Sequence, residues 1–330
     1  MHLTLLLPGA LLPREVVRAL AEPLAATGLA FALTRAHLVG DSDADAGSPP
    51  HLAWLADHLF QREAPLATAP YAYADLAGHA PAADQFLWHA DAVHLELARD
   101  HLMLTPLAPS PTDDEAGALL AAANALAANA GVEIVRKGDH WFLRAPHPWE
   151  LDAKPLAATI GRPLPAVLPA GRDAATWSRL LTEIQMTWHA HPVNEAREAR
   201  GAPTVNSVWL HGGGHWASLA RPDYSSVFAD EPEWRGAAQA AGIAASPADA
   251  APGDNALVVW TDLLAPRLLQ DWTGWIAALR ALDQRWAPLA RSNAVDFVLT
   301  GEAALRRLRS HPSDRLKFWR AGSLDQVLSE

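Results

Sequence analysis

Apolar positions fall into two kinds of run along this chain. Residues 3–7 are all apolar except Thr4 and stop at Pro8-Gly9, whereas from Pro13 to Gly28 the residues Val16, Val17, Leu20 and Leu24 recur at helical spacing. The pattern predicts a strand followed by a helix. Asp41-Ser-Asp-Ala-Asp45 and the Gly47-Ser-Pro-Pro that follows are polar and read as a solvated loop. A calcium loop is a poor match, because the glycine comes one place late and Leu52 stands where the closing glutamate belongs. Residues 51–60 then fit a short amphipathic helix.

A compact group follows. Val93–Leu97 and His101–Thr105 alternate about Ala98-Arg-Asp100 and predict a hairpin. Thr112-Asp-Asp-Glu115 is a capping box that opens an alanine-rich helix closed by Gly131. A second hairpin is expected from Val132–Arg136 across Lys137-Gly-Asp139 to Trp141–Arg144. These elements predict an inserted α+β lobe over 91–145, with residues 1–90 and 146–330 forming the core domain.

Ala145 to Gly171 is proline-rich and reads as a linker. A helix is expected from about Ala174 to Ala190, and Pro192 starts another over 193–200, since proline is tolerated in a first helical turn. Beyond it, Ser207–Leu210, Ala256–Trp260 and Val295–Leu299 read as strands and 271–286 as a helix. That alternation argues for an α/β fold with a mostly parallel sheet covered on both faces.

Composition narrows the chemistry. The chain of 330 residues carries 37 acidic and 26 basic side chains for a net charge of −11, so the footprint of a nucleic-acid binder is absent. It has no cysteine, which excludes disulfides, thiol catalysis and zinc ribbons. No apolar stretch reaches membrane-spanning length and no leader pattern opens the chain, so a cytoplasmic protein without a membrane partner is expected. Most of the fourteen tryptophans are expected in cores.

The richest segment for chemistry is His189 to Gly201 followed by Asn206-Ser-Val-Trp-Leu-His-Gly-Gly-Gly-His215. His191 immediately precedes Pro192, and Asn194, Arg197 and Arg200 follow it on one predicted helix. Asn206 precedes a predicted strand, Trp209 lies near its end, and His211, Gly212, Gly213, Gly214 and His215 follow it. Glycines beyond the carboxyl end of a strand leave backbone amides open to an anion, and guanidinium groups suit phosphate or carboxylate. A small anionic metabolite is therefore the expected ligand at these eleven residues. The structural alternative is that His191 caps its helix, Asn194 satisfies backbone groups and the arginines lie on a solvated face. Trp209 and Trp216 are best placed to line a pocket. The glycines lack dinucleotide or P-loop spacing, no Gly-x-Ser-x-Gly occurs, and no His-Glu-x-x-His occurs, so the histidines read as structural and neither metal nor cofactor is expected.

Asp91-Ala-Val-His-Leu-Glu-Leu-Ala-Arg-Asp-His-Leu-Met-Leu104, with Glu183-Ile-Gln-Met186, His191-Pro-Val-Asn194, Arg197-Glu-Ala-Arg-Gly201, Val205-Asn-Ser-Val-Trp-Leu210 and Gly212–Gly214, resembles the RpfE-type regulatory proteins of Proteobacteria along the whole chain. Through the His191 to Gly214 segment it also resembles the archaeal-type cofactor-independent phosphoglycerate mutases of the alkaline-phosphatase superfamily. The resemblance implies a three-layer alkaline-phosphatase-like sandwich carrying the inserted lobe. Those mutases hold two metals with an Asp-Gly after the first strand and an Asp-His after a late one, and use a serine as phosphoryl acceptor. Here the matching strands end Leu7-Pro-Gly9 and Leu299-Thr-Gly-Glu302. Two-metal transfer needs carboxylate and imidazole ligands to offset charge on both oxygens. The reading is therefore a catalytically degenerate relative with a regulatory role. An active phosphomutase or phosphatase with relocated ligands and a protein-interaction scaffold remain open beside it.

Overall fold

The computed structural model describes residues 1–20, 28–43, 48–63, 65–97, 102–105, 109–317 and 324–330. The fold is mixed α/β, with a mostly parallel sheet in one unit and a second, antiparallel sheet in another. One unit comprises Met1–Pro65 and Ser218–Glu330, the other Leu66–Ala217. The second is wider than the expected 91–145 lobe, because the strands at Phe86–Leu97 and Ser207–His215 pair with each other and belong to one sheet.

In the first unit, β1 (His2–Pro8) lies between β11 (Ala294–Thr300) and β10 (Ala256–Val259), parallel to both. The parallel order continues through β8 (Ser226–Ala229) to β9 (Ala244–Ser246). Antiparallel β12 (Ala304–Ser310) and then β2 (His37–Asp43) complete the other edge. Leu3, Leu5, Leu7, Val258 and Phe297 pack into one core with the helix Trp272–Ser292, while the alternate residues Leu6, Leu257, Val259 and Val298 are also buried. Both faces are therefore covered, which explains the almost unbroken apolar runs.

Asp41 and Ser42, expected in a loop, lie in β2. Their polarity suits an edge strand, where Arg306 of β12 bonds both carboxylate oxygens of Asp41 at 2.8 and 3.2 Å. Residues 44–47 of the same expected loop are outside the described residues. The helix expected from Pro13 to Gly28 is present as Arg14–Ala19, a further helix spans Gly28–Arg35, and 21–27 are outside the described residues.

Gly9 closes β1 at φ +78, and an added Cβ would lie 2.8 Å from the Leu263 carbonyl oxygen and 2.9 Å from Leu264 Cα. Its own carbonyl accepts from buried Trp275 Nε1 at 2.9 Å. Left-handed backbone costs a residue with a Cβ about 1–2 kcal/mol, and neither of those backbone neighbours can swing away. Gly9→Ala is expected to lower the urea midpoint by the equivalent of about 2 kcal/mol with the m-value unchanged.

The second unit is built on β3 (Phe86–Leu97). One stretch of it pairs with β6 (His140–Ala145) and the other with β4 (Leu102–Thr105), while β5 (Glu133–Lys137) extends the sheet from β6. Both expected hairpins are antiparallel pairs, with Leu97 opposite Leu102 and Lys137 opposite His140. Residues 98–101 at the first turn are outside the described residues. The capping box is formed: Glu115 N donates to Thr112 Oγ1 at 3.4 Å and Thr112 N to Glu115 Oε2 at 3.0 Å, opening the helix Asp113–Ala127. Trp177, Leu180, Ile184 and Trp188 form the buried face of the helix Ala174–His189, packed with Leu119 and Ala123.

The strand beginning at Ser207 differs from expectation. This strand, β7 (Ser207–His215), is antiparallel to β3 and lies outside the parallel sheet. Residues 207–210 are buried on both faces, so periodicity could not reveal which sheet takes them. Among the described residues no helix is long and apolar enough to cross a membrane.

Candidate functional site

The two ends of the segment singled out in the sequence have separate fates. On the helix Pro192–Ala199, His191 caps the first turn by accepting from Val193 N at 3.2 Å. Asn194, 2% exposed, donates to the carbonyls of Trp188 and Val205 at 2.8 Å each and accepts from Val205 N at 2.8 Å. Arg197 is fully buried rather than solvated. Its guanidinium donates to Pro203 O at 2.7 Å, Pro109 O at 2.6 Å and Glu115 Oε2 at 2.8 Å. Arg200 reaches the other oxygen of Glu115 at 2.5 Å. Burial alone would raise Glu115, but the bonds from Arg200, Thr112 and Arg197 hold it below the usual carboxylate range. These donors are engaged by the chain itself, so they form a clamp on the capping box.

The strand residues divide again. Asn206 pairs with both backbone groups of Leu95, at 2.7 and 2.9 Å, and Trp209 donates to Lys154 O at 3.0 Å from a small core with Val93 and Leu104. His215 packs edge-on against Phe86 and meets Gln85 O at 3.2 Å. Trp216 packs against Tyr71 at 5.1 Å.

The three glycines lie inside β7, not beyond the end of a parallel strand. Leu87 pairs with Gly214 and His89 with His211, so Gly212 and Gly213 together face Trp88 across a β-bulge. Gly212 has φ +60, and a Cβ on Gly213 would overlap the Trp88 indole. Their amides belong to a strand in a tightly packed sheet.

The bulge sets the register that aligns His211 with His89. Directly opposed residues of antiparallel strands share a face, and Asp91, two residues beyond His89, shares it too. The His89 and His211 rings stack at 4.5 Å and 14°. His211 Nε2 and Asp91 Oδ2 are 2.6 Å apart. One donor atom from each of the three residues lies within 4.8 Å of the others. Burial, with help from the His211 charge, pushes the His89 imidazole down to about 3. Burial would raise Asp91, but the charge and hydrogen bond of His211 carry it below its ordinary value.

Of these three, only His211 was among the sequence candidates. His89 and Asp91 were missed because the strand was read from Val93, although His-Ala-Asp at alternate positions of the apolar run Phe86–Val93 was the available signal.

In the first unit, the carboxyl ends of the parallel strands bear no histidine: they continue as Gly9-Ala10, Asp230-Glu231, Pro247-Ala248, Trp260-Thr261-Asp262 and Gly301-Glu302. Burial raises both Glu231 and Asp262, and Asp230 adds to the rise in each. Beside the end of β11, Glu330 accepts from buried Arg267 at 2.5 Å and from Glu302 N at 2.8 Å. A two-metal phosphoryl-transfer set does not fit these residues. The first strand offers no carboxylate, the late one no imidazole, and an ion pair of the chain fills its end.

The same unit has an open cleft of about 400 Å³ whose lining includes Gly40, Asp41, Trp54, Asp57, His58 and Arg307. Trp54 and His58 stack at 4.2 Å and 11° to make one wall, and Arg307 supplies a guanidinium.

No protein-family model matches the chain. No curated protein matches it either. Among solved structures, it is similar to the PH0037 protein from Pyrococcus horikoshii, at 13% identity over 99% of this chain and 93% of that one, with a TM-score of 0.49. It is also similar to a cofactor-independent phosphoglycerate mutase from Thermoplasma acidophilum, at 13% identity over 93% of this chain and 89% of that one, with a TM-score of 0.36.

Proposed function

We propose that this chain is a phosphomutase-like protein that has lost two-metal catalysis and binds a small anionic metabolite in a regulatory role. The observation that carries the reading is the makeup of the strand ends, where β1 and β11 bring neither aspartate nor histidine and the Arg267–Glu330 pair lies beside the end of β11. Without ligands that hold two cations, charge developing on a transferring phosphoryl group has little to offset it. Sequence resemblance in the His191 to Gly214 segment supports the mutase relationship, and resemblance to the RpfE-type proteins supports the regulatory role.

Because the Arg197 donors are all engaged within the chain and Arg200 is tied to Glu115, we place the anion in the cleft at Arg307. There a guanidinium can pair with phosphate or carboxylate beside a flat aromatic wall.

With manganese and 3-phosphoglycerate the purified chain is expected to show no turnover, whereas phosphorylated three-carbon acids raise its melting temperature in wild type and not in Arg307→Ala. At a hundred times its dissociation constant a ligand stabilises the fold by about 2.7 kcal/mol, a readily measured shift. Turnover on the order of one per second would overturn the reading in favour of an active enzyme with relocated ligands. No shift from any phosphorylated or carboxylated metabolite would favour the interaction scaffold.

A further inference from the structure

We propose that His89, Asp91 and His211 form a binding site for a divalent transition-metal ion of the zinc class. The site lies in the second unit, in residues that the proposed anion cleft does not use, so the two readings stand or fall separately.

Three features carry it. The donors come from adjacent antiparallel strands, two from β3 at alternate positions and one from β7 directly opposite, so the backbone ladder holds all three on one face. Their donor atoms already cluster within 4.8 Å of one another. A tetrahedral ion with ligands at ~2.0–2.1 Å needs them roughly 3.3 Å apart, so the donors must close in and the two stacked rings must turn toward a common point.

The second feature is an unmet polar group. His89 is 3% exposed and its buried Nε2 has no hydrogen-bond partner among the described residues. A buried polar atom with no partner costs about 1–3 kcal/mol, a cost that an ion bound by this ring would remove. In a purely structural His–Asp pair the third group would be apolar or hydrogen-bonded, and here it is a second imidazole.

The third is access. His211 and Asp91 keep side-chain exposures of 15% and 25%, so an ion can enter from their side and retain a water or exogenous ligand. Two imidazoles with one carboxylate are nitrogen and oxygen donors of intermediate softness. They favour zinc, cobalt or nickel over calcium and magnesium, which prefer all-oxygen shells. On binding, the ion displaces the proton shared by His211 Nε2 and Asp91 Oδ2, which is released to solvent.

The test uses the full chain after chelator treatment. Titration with Co²⁺ is expected to give one bound ion per chain with a visible ligand-field absorption that Zn²⁺ abolishes by displacement. His211→Ala and Asp91→Asn are each expected to weaken Co²⁺ binding by about tenfold or more, while replacing the exposed His147 by alanine leaves it unchanged. Should His211→Ala unfold the sheet, the shape-preserving Asp91→Asn, checked by circular dichroism, carries the comparison. Absence of Co²⁺ uptake by wild type, or equal affinity in the folded variants, would overturn the assignment.

Discussion

Replacing Arg197 by alanine is expected to destabilise the folded chain by about 3–5 kcal/mol, the range for breaking a buried ion pair by removing one partner. The side chain is fully buried, and its guanidinium serves three acceptors: Glu115 and the carbonyls of Pro109 and Pro203. Removing it leaves two carbonyls without their donor and a carboxylate at 12% exposure with only Arg200 opposite. It also opens a void beside the first turn of the helix Asp113–Ala127. Arg200 offers the internal contrast. At 45% exposure its bond to Glu115 is screened by solvent, so Arg200→Ala is expected to cost under about 1 kcal/mol. Urea unfolding of both variants is the measurement, and similar small losses in the two would show that the clamp contributes little.

Acidification is expected to weaken the fold by about 3 kcal/mol through His51 alone. His51 is 5% exposed in the helix Pro50–Leu55, and burial lowers its imidazole from 6.5 to about 4. The folded state thus holds the ring neutral while the unfolded chain protonates it near pH 6.5. Between those two values the unfolded state binds more protons, so stability rises with pH and is lost as pH falls from 6.5 towards 4. Above pH 6.5 the contribution is flat. His51→Leu removes the titrating group, so the difference in unfolding free energy between variant and wild type is expected to change across this window. A difference independent of pH would show that the ring is not held neutral.

Much of the architecture was legible in the order of residue types. The apolar runs at 3–7, 256–260 and 295–299 are short, β-compatible and bounded by breakers, and all three are parallel strands buried on both faces. Thr112 and Glu115 form the capping box their spacing specifies, because both partners lie within one helical turn. The two hairpins were equally readable, since their strands are close in sequence and alternate in polarity.

The site residues were a different matter. Arg197 looked like a donor for a ligand, and the long-range approach of Pro109 and Glu115 makes it a clamp within the chain. The three glycines looked like a strand-end turn, and pairing with β3 makes them a bulge. His89 and His211 are separated by more than a hundred residues of chain and meet because that bulge sets the register. Local sequence specifies where a strand forms and which of its residues share a face, because both follow from nearest-neighbour geometry. Which strand lies beside it, and in what register, depends on packing between distant segments. In this chain that packing alone decides whether a histidine or an arginine faces a partner, a solvent-filled cleft or another ligand.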